Sequence, residues 1–297
     1  MTPSISIITP SYNQGRFIQR TIDSVISQGI PELEYVVVDG GSTDETIDIL
    51  RSYSHQLQWT SERDQGHSDA INRGIARTAG PVVGWLNSDD IYYPNALQTV
   101  LDFFRHHPEI DVVYGDANHI DENDAIIEQY PTEVWNLERL KDVCFISQPA
   151  AFLRRRVVNA YGPLDLSLRY CMDYDYWFRL GLRGARFAYL PKLLAATRLH
   201  DDAATLAHRV ACHAATNDIT RRHLGRTPDR WLFNYAHAVS DSRGLQRGRP
   251  STTLVMAMLT VYAAVRWNRA VSRSMLVTLK RWVVADAVAP LRRRVAS

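Results

Sequence analysis

The stretch "YVVVDGGSTDETIDIL", residues 35–50, joins three consecutive valines to an amphipathic run through a short polar loop. A run of apolar β-branched residues predicts a strand that is buried on both faces. The glycines after Asp39 allow a tight turn, and Ser42 followed three residues later by Glu45 is a capping box that starts the next helix. A buried strand that ends at a carboxylate and turns into a helix is typical of a ligand site in an α/β sheet.

Strand and helix alternate on both sides of this stretch. Short apolar runs predict further strands at 5–9 and 80–87, with 57–62 as a candidate for another short strand, and helical periodicity occupies 15–28, 68–77 (capped by Ser68) and 94–107. Residues 111–130 indicate two antiparallel strands around a polar turn at Asp121–Asp124, and helices are expected again at 136–143 and 173–184. From about residue 205 only helical patterns remain. We therefore predict an α/β fold with a mostly parallel sheet flanked by helices, followed by a C-terminal helical extension.

The composition describes a globular protein with two differently charged parts. Of 297 residues, 45% are hydrophobic and 22% charged, which excludes the disordered and fibrous classes. Residues 1–220 hold 19 Lys/Arg against 29 Asp/Glu, whereas residues 221–297 hold 15 against 3, a net charge of +12. An acidic body with a basic tail predicts that the tail meets an anionic partner.

Cysteine usage and hydropathy predict a cytoplasmic protein. Cys144, Cys171 and Cys212 are widely spaced and form no CxxC pair, which disfavours a disulfide framework or a zinc ribbon. The first residues have neither the basic nor the apolar region of a signal peptide. The longest apolar stretch, 254–265, is shorter than the roughly 17–25 residues that span a bilayer.

Carboxylates follow the ends of the predicted strands. The chain has neither a GxxxxGK[ST] phosphate loop nor a GxGxxG turn, but Asp39 ends one apolar strand and Asp89–Asp90 follow another. The carboxyl ends of parallel strands form one crevice, so these acids should converge there. Mg²⁺ or Mn²⁺ takes one or two protein carboxylates and completes its shell with water and phosphate oxygens. The alternative is that Asp89–Asp90 form a solvated turn before the next helix.

Four segments carry a resemblance to a known family. They are "ISIITPSYNQGRFIQRTIDSVISQ", "EYVVVDGGSTDETIDIL", "DQGHSDAINRGIARTAGPVVGWLNSDD" and "MDYDYWFRL", and their order and spacing resemble those of family 2 glycosyltransferases. The resemblance covers roughly residues 3–200. It implies a nucleotide-binding GT-A catalytic domain, which we place at 1–210. The basic helical region over 211–297 is expected from its helical pattern and charge, and the tail lies outside the resemblance. It also implies inverting transfer of a sugar from a nucleotide-sugar donor to a glycan or lipid-linked acceptor, in polysaccharide or cell-envelope synthesis.

The resemblance also implies roles for individual residues. Those implied to bind the nucleotide are Pro10, Tyr12, Asp39, Asp69, Asn72 and Asp89. Asp90 resembles the family's metal ligand for Mn²⁺ or Mg²⁺, although the first position of that motif is Ser88 instead of aspartate. His200 is similar to a histidine that ligates the metal, with an ordinary surface histidine as the alternative. Gln148 resembles a residue on the acceptor side.

Asp173 resembles the family's general base. A carboxylate within hydrogen-bond reach of an acceptor hydroxyl can take its proton as the new bond forms. The family pattern at this place is Glu-Asp, whereas this chain has Met172–Asp173. The alternative is that Asp173 and Asp175 only stabilise the N-terminus of a helix. Trp177 is expected to pack in the core and not against a sugar.

The basic tail leaves several partners open. Its mixture of apolar runs, tryptophans and arginines over 221–297 is typical of helices that lie on an anionic membrane surface. Packing against the catalytic domain or a second copy of the chain is the alternative, so a homo-oligomer stays open. Nucleic acid is disfavoured because the acidic body would repel phosphates. The expected location is cytoplasmic, with peripheral attachment to the inner membrane face left open.

Two other functions compete with sugar transfer. A nucleotidyltransferase would use a similar sheet but would need a basic glycine-rich loop after the first strand, where this chain has "TPSYNQGR". A non-catalytic nucleotide-sugar-binding module would share the site without the reaction. The catalytic hypothesis depends on Asp39, Asp90 and Asp173 meeting around one pocket.

Overall fold

A computed structural model describes residues 3–201, 203–246 and 250–282. The chain divides into two compact units between Ala203 and Ala204. The boundary expected near residue 210 lies a few residues later, in the helix Arg209–Leu224. The last strand ends at Arg198.

The first unit contains the sheet and the helices that cover it. Its strands are β1 (Ile5–Ser11), β2 (Leu33–Asp39), β3 (Gln58–Ser61), β4 (Val82–Trp85), β5 (Ile91–Tyr92), β6 (Val112–Ile120), β7 (Ile126–Gln129), β8 (Ala151–Arg154) and β9 (Phe187–Arg198). Its helices are α1 (Gly15–Ile26), α2 (Thr46–Ser52), α3 (His67–Ala76), α4 (Ala96–His106), α5 (Leu137–Leu140), α6 (Arg155–Tyr161) and α7 (Met172–Leu182), and a 3₁₀ turn spans Gln148–Ala150.

The strand directions bring the predicted site to one edge. The sheet order is β3-β2-β1-β4-β8-β6-β9-β5, with β7 also paired to β6. The pairings make β1, β2, β3, β4, β6 and β9 run one way and β5, β7 and β8 the other. The prediction of a mostly parallel α/β sheet is therefore confirmed. We call the segments that follow the six parallel strands, residues 12–14, 40–45, 62–66, 86–90, 121–124 and 199–201, the carboxyl edge.

The connection between β4 and β5 curls the sheet. Only residues 86–90 join these strands, although β8, β6 and β9 lie between them in the sheet order. So few residues span at most about 20 Å, whereas four steps between neighbouring strands of a flat sheet would already need about 19 Å. Residues 86–90 are not extended, because the Asp90 N–H donates to the Asn87 carbonyl oxygen (3.0 Å), so the sheet must close part of this gap by curling.

The core follows the predicted periodicities. β1 is buried along its whole length, and α1 buries Phe17, Ile18, Ile22 and Val25, as its helical pattern predicted. α3 lies close to β1, where a Cβ on Gly74 would come within 2.4 Å of the Ile8 side chain. Glycine therefore permits the close contact between this helix and the sheet.

Two helix caps differ from the prediction. α2 begins at Thr46, and Asp44 accepts from the Thr46 N–H (3.1 Å), so the Ser42–Glu45 capping box is wrong. Ser42 instead donates to Asp39, which leaves Asp44 as the acceptor at the helix start. α3 begins at His67, so Ser68 lies inside the helix and makes no cap hydrogen bond.

Three strands were not predicted. β5 was assigned to a turn and helix, and β8 and β9 have little alternating pattern. β9 contains Pro191, and its pairing with β6 shifts register near Gly115 and Asp116. Proline removes a ladder hydrogen bond and is tolerated at such a bulge. A proline within the segment therefore argues against a strand when only the sequence is considered.

The second unit is helical in its described residues. It contains α8 (Ala204–Ala207), α9 (Arg209–Leu224), α10 (Asp229–Ser242) and α11 (Pro250–Asn268), and residues 273–282 are also helical. Its core includes Leu232, Ala263, Ala264, Trp267 and Met275. The predicted helical extension is confirmed up to residue 282, and Arg292–Arg294 lie outside the described residues. Among the helices described, none combines the length and apolarity needed to cross a bilayer.

Candidate active site

The Asp39 carboxylate organises the loop after β2. Asp39 is fully buried, and its Oδ2 accepts from the N–H groups of Gly41 (3.0 Å) and Ser42 (2.8 Å) and from the Ser61 hydroxyl (2.6 Å). The Ser42 hydroxyl donates to Oδ1. Gly41 has a φ of +86°, which glycine adopts without strain. Asp39 thus joins the ends of β2 and β3, and its Oδ1 faces fewer donors than its Oδ2.

The loop after β1 is joined to the loop after β2. Asn13 donates its N–H to Ser42 Oγ (2.7 Å) and accepts from the Thr43 N–H (2.8 Å). Pro10 is buried in β1 opposite Val38. Tyr12 lies between Pro10 and Asn13 in the sequence, and it is 61% exposed. An aromatic ring is therefore presented beside Asp39 by a loop that hydrogen bonds hold in place.

The two adjacent aspartates of the 86–90 segment have different environments. Asp90 is almost fully buried, and its carboxylate accepts from the Arg198 N–H (3.0 Å) and from Asn87 Nδ2 (3.2 Å). Burial, together with the charge of Asp89, raises the pKa of the Asp90 carboxyl well above its ordinary value. Asp89 is more exposed and places its Oδ2 3.1 Å from His200 Nε2. Asp89, and not Asp90, is the carboxylate presented at the surface.

Arg198 is a residue of this site that sequence reasoning missed. Its buried guanidinium donates to the carbonyl oxygens of Asp89 and Asp121 (both 2.8 Å) and lies 5.1 Å from the Phe17 ring. It also forms an ion pair with Asp124. Its position two residues before His200 was the available signal, but the strand that carries it had not been recognised. Arg198 holds the 86–90 segment against the β6–β7 turn.

The Asp89–His200 pair fits a divalent cation. It supplies one carboxylate oxygen and one imidazole nitrogen, and both are ligand types that Mn²⁺ accepts. His200 Nδ1 and Arg198 Nη2 are buried and have no hydrogen-bond partner among the described residues. Across the described ranges, no group of three or more His, Cys, Asp or Glu is arranged to hold a metal. A cation here would therefore need substrate oxygens and water to complete its shell, as Mg²⁺ commonly does.

Asp69 and Asn72 make contacts within the protein. Asp69 accepts from the Gln65 N–H (3.0 Å) and pairs with Arg73 (2.8 Å) at the start of α3. The Asn72 amide donates to the carbonyl oxygen of Leu164 and accepts from the Leu164 N–H (both 2.9 Å). The structure therefore gives Asn72 a structural contact with the segment after α6. Its predicted role at the nucleotide would need the same amide group.

Asp173 lies in the first turn of α7 and is half-buried. Burial raises the pKa of its carboxyl, and this effect outweighs the opposing hydrogen bonds from the N–H groups of Tyr174 and of Asp173 itself. The charge of Asp173 reaches Cys144, where burial and then this charge raise the pKa of the thiol to about 12. A carboxylate that is destabilised by burial has a higher proton affinity, which suits a general base.

Stacked tryptophans connect α7 to the strand that leads to Asp89. Trp177, one turn after Asp173, is fully buried and stacks on Trp85 at the end of β4, with 5.7 Å between ring centroids. The expectation that Trp177 is a core residue is confirmed. Gln148 Nε2 donates to the carbonyl oxygen of Trp85 (2.7 Å), and Gln148 Oε1 is buried without a partner. These contacts link Asp173 and Gln148 to the β4 end of the carboxyl edge.

The structure places the main predicted residues in two regions. Tyr12, Asp89 and His200 lie on the carboxyl edge, and Asp39 is the strand residue directly before it. Asp173 and Gln148 are linked to it through Trp85, and the meeting of Asp173 with Asp39 and Asp90 around one bound substrate stays a prediction.

Comparison with known proteins identifies the family. The model of glycosyl transferase family 2 matches residues 6–162, more than half of the chain. An uncharacterized glycosyltransferase of Rickettsia typhi is 30% identical over 208 residues, which cover 67% of this chain and 65% of that protein. The chain therefore spans just under two thirds of the length of this relative.

Solved structures show the same fold. TarS of S. aureus in complex with UDP-GlcNAc has a TM-score of 0.60 at 18% identity, covering 87% of this chain and 80% of that one. The mannosyltransferase PcManGT of Pyrobaculum calidifontis, in complex with GDP-Man and Mn²⁺, has a TM-score of 0.59 at 17% identity, covering 98% of this chain and 88% of that one. These likenesses confirm the GT-A-type fold, and together with the family match they establish that the chain is a member of glycosyl transferase family 2.

Proposed function

We propose that this protein transfers a sugar from a nucleotide-sugar donor to a glycan or lipid-linked acceptor, with inversion at the anomeric carbon. The observation that carries the proposal is the contact of Asp89 with His200 on the same sheet edge as Asp39 and the exposed Tyr12. Such an edge, formed by the carboxyl ends of parallel strands, is where open α/β sheets bind their ligands.

The donor nucleoside would lie between the loops after β1 and β2. Tyr12 offers an exposed ring for stacking on the base, and Pro10 supports its loop from the buried strand. Asp39 Oδ1, with one internal donor, retains acceptor capacity for a base or ribose group. The two complexes described above contain UDP and GDP sugars, so fold likeness leaves the base open.

The diphosphate would lie near Asp89 and His200. A bound Mn²⁺ or Mg²⁺ would supply Lewis-acid neutralisation of charge on the departing nucleoside diphosphate. We assign its protein ligands to Asp89 and His200. Asp90, predicted as the ligand, holds the segment from within, since both of its carboxylate oxygens accept hydrogen bonds inside the protein.

Asp173 would act as the general base. It accepts the proton of an acceptor hydroxyl while that oxygen bonds to the anomeric carbon and the bond from this carbon to the phosphate oxygen breaks. Burial raises the pKa of Asp173, which favours proton uptake in the transition state. Attack on the face opposite the leaving group inverts the configuration. Gln148, beside Trp85, would contact the acceptor.

The proposal extends to the location of the enzyme. A lipid-linked acceptor of the cell envelope would suit a cytoplasmic protein whose basic residues 221–297 meet an anionic membrane. The acidic residues 1–220 disfavour nucleic acid as a partner. We assign catalysis to the first unit.

The decisive experiment is a thermal-shift screen of UDP-, GDP-, dTDP- and CDP-sugars, each with and without Mn²⁺. We expect one nucleotide class to raise the melting temperature, and EDTA to reverse part of the shift, because binding to the native state stabilises it. The stabilising donor is then incubated with candidate acceptors while nucleoside diphosphate release is measured. Stabilisation without release would indicate a non-catalytic module, and no response to any nucleotide would overturn the proposal.

A further inference from the structure

The second unit exposes an apolar helix face. On α11, Leu254, Met258, Tyr262 and Val265 are each 53–56% exposed. Their spacing of four, four and three residues places them on one side of the helix. We call these four residues the outer face of α11. The opposite side, with Ala263, Ala264 and Trp267, packs into the core of this unit.

This face is unusual for a helix at a protein surface. Residues 251–265 contain no Asp, Glu, Lys or Arg. A helix that is apolar all round is normally buried, and contiguous exposed apolar patches mark sites of contact with a partner or a membrane. The outer face therefore lacks the polar residues that would suit permanent contact with water.

Exposed basic residues follow this face along the chain. Arg266, Arg269, Arg273, Lys280 and Arg281 are all exposed, and residues 250–282 contain no acidic residue. Arg266 donates to the hydroxyl of Tyr262 on the outer face (3.3 Å). Aromatic and basic residues beside an apolar surface are typical of the headgroup level of a membrane.

The charge also discriminates between a membrane and a second copy of the chain. A two-fold interface that packs two copies of α11 in parallel would set the basic residues at the end of the helix close to their own copies, and like charges that face each other across an interface cost free energy. An anionic lipid surface attracts these basic residues instead.

We propose that the outer face of α11 inserts among the headgroups of an anionic bilayer, with Arg266, Arg269 and Arg273 contacting lipid phosphates. The proposal rests on the proposed function only in that a lipid-linked acceptor would share the same surface. Binding itself requires no catalysis.

The test is sedimentation of the full chain with vesicles of phosphatidylcholine alone or mixed with phosphatidylglycerol. We expect binding to the mixed vesicles, and weaker binding in 1 M salt, where the Debye length falls to about 3 Å. The double variant Leu254→Gln/Met258→Gln should bind roughly tenfold or more weakly, because two inserted apolar side chains are lost. Arg269→Gln/Arg273→Gln should lose the preference for phosphatidylglycerol.

The matched control is Ile126→Gln/Ile127→Gln in β7. These residues are 63% and 53% exposed in the first unit, and their replacement should leave vesicle binding unchanged. Asp173→Asn should also bind normally, so loss of catalysis and loss of membrane contact are distinguishable. Absence of binding by the parent chain overturns the proposal. So does a concentration-dependent dimer, seen by analytical ultracentrifugation, that the α11 double variant dissociates.

Discussion

The carboxyl edge of the first unit and the outer face of α11 in the second unit are both exposed, but their chemistry is opposite. At the edge, the Asp39 and Asp90 carboxylates are held by N–H, hydroxyl and amide donors from neighbouring segments. On α11, fifteen consecutive residues, 251–265, carry no charge. Preorganised polar groups favour a specific polar ligand, whereas an apolar face binds by removing its area from water.

Because the two surfaces differ in this way, the reaction and membrane binding should respond to different substitutions. Variants at the edge should change the reaction and leave vesicle binding intact, and variants on α11 should do the reverse. The following predictions test that separation.

Asp173→Asn should have the largest effect. We expect kcat to fall by about 10²- to 10⁴-fold, the usual contribution of a general base. The folded-state pKa of Asp173 lies above its unfolded value, so folding is less favourable once pH rises through that range and the folded carboxylate is ionised. Asparagine removes this charge, and the melting temperature at pH 7 should stay equal or rise.

Asp175→Asn is the matched control, since it removes a charge from the same helix turn. If Asp173 only stabilises the N-terminus of α7, both variants should lower the melting temperature and activity together. An equal loss of kcat in both would contradict the assignment of the base.

The pH dependence of kcat/KM should report the ionisation of Asp173. A base must be unprotonated to act, so activity should fall as pH decreases through the pKa of Asp173. Because burial raises this pKa, the acidic limb should lie above the range of an ordinary aspartate. An acidic limb at the pKa of a solvated carboxyl would contradict this prediction.

Asp89→Asn should have the next largest effect. We expect activity to fall about a hundredfold, since a part of the several kcal/mol supplied by the metal is lost, and the additional stabilisation that Mn²⁺ gives to the donor complex in thermal-shift assays should vanish. Glu122→Gln, another acid on the carboxyl edge, is the control. Loss of the Mn²⁺ response in Asp90→Asn but not in Asp89→Asn would return the ligand role to Asp90.

Tyr12→Ala should act mainly on donor binding. Stacking of a base on an aromatic ring contributes roughly 1–3 kcal/mol, so KM for the donor should rise about tenfold with a smaller change in kcat. The ring is 61% exposed, and the melting temperature without donor should hardly change. Tyr12→Phe should retain the parent KM, and an unchanged KM in Tyr12→Ala would remove this residue from the nucleotide site.

The α11 double variant Leu254→Gln/Met258→Gln should have the smallest effect on catalysis. With a water-soluble acceptor analogue, we expect kcat and KM to match the parent chain, because surface replacements away from a site change stability by only about 0.5 kcal/mol. Reduced turnover with the soluble analogue would show that the two surfaces are coupled.

Most of the parallel half of the sheet was predictable from local pattern. Strands β1, β2 and β4 are short apolar runs between turn residues, and Asp39 directly follows such a run. Strands β8 and β9 were not predicted, because their own sequences show little alternation of apolar and polar residues. They are strands because they pair with neighbouring strands of the sheet. The role of Arg198 was missed with β9, since an arginine in an unrecognised strand has no visible partner.

The amino-acid sequence by itself determined the family, the strand that ends at Asp39 and the apolar character of α11, because these are properties of neighbouring residues. Only the tertiary structure decided which of two adjacent aspartates faces outwards, since Asp90 is turned inwards by the Arg198 backbone 108 residues away. It also decided which side of α11 is exposed. A helix that is apolar all round has no periodicity to show this, and the choice depends on packing against the other helices of its unit.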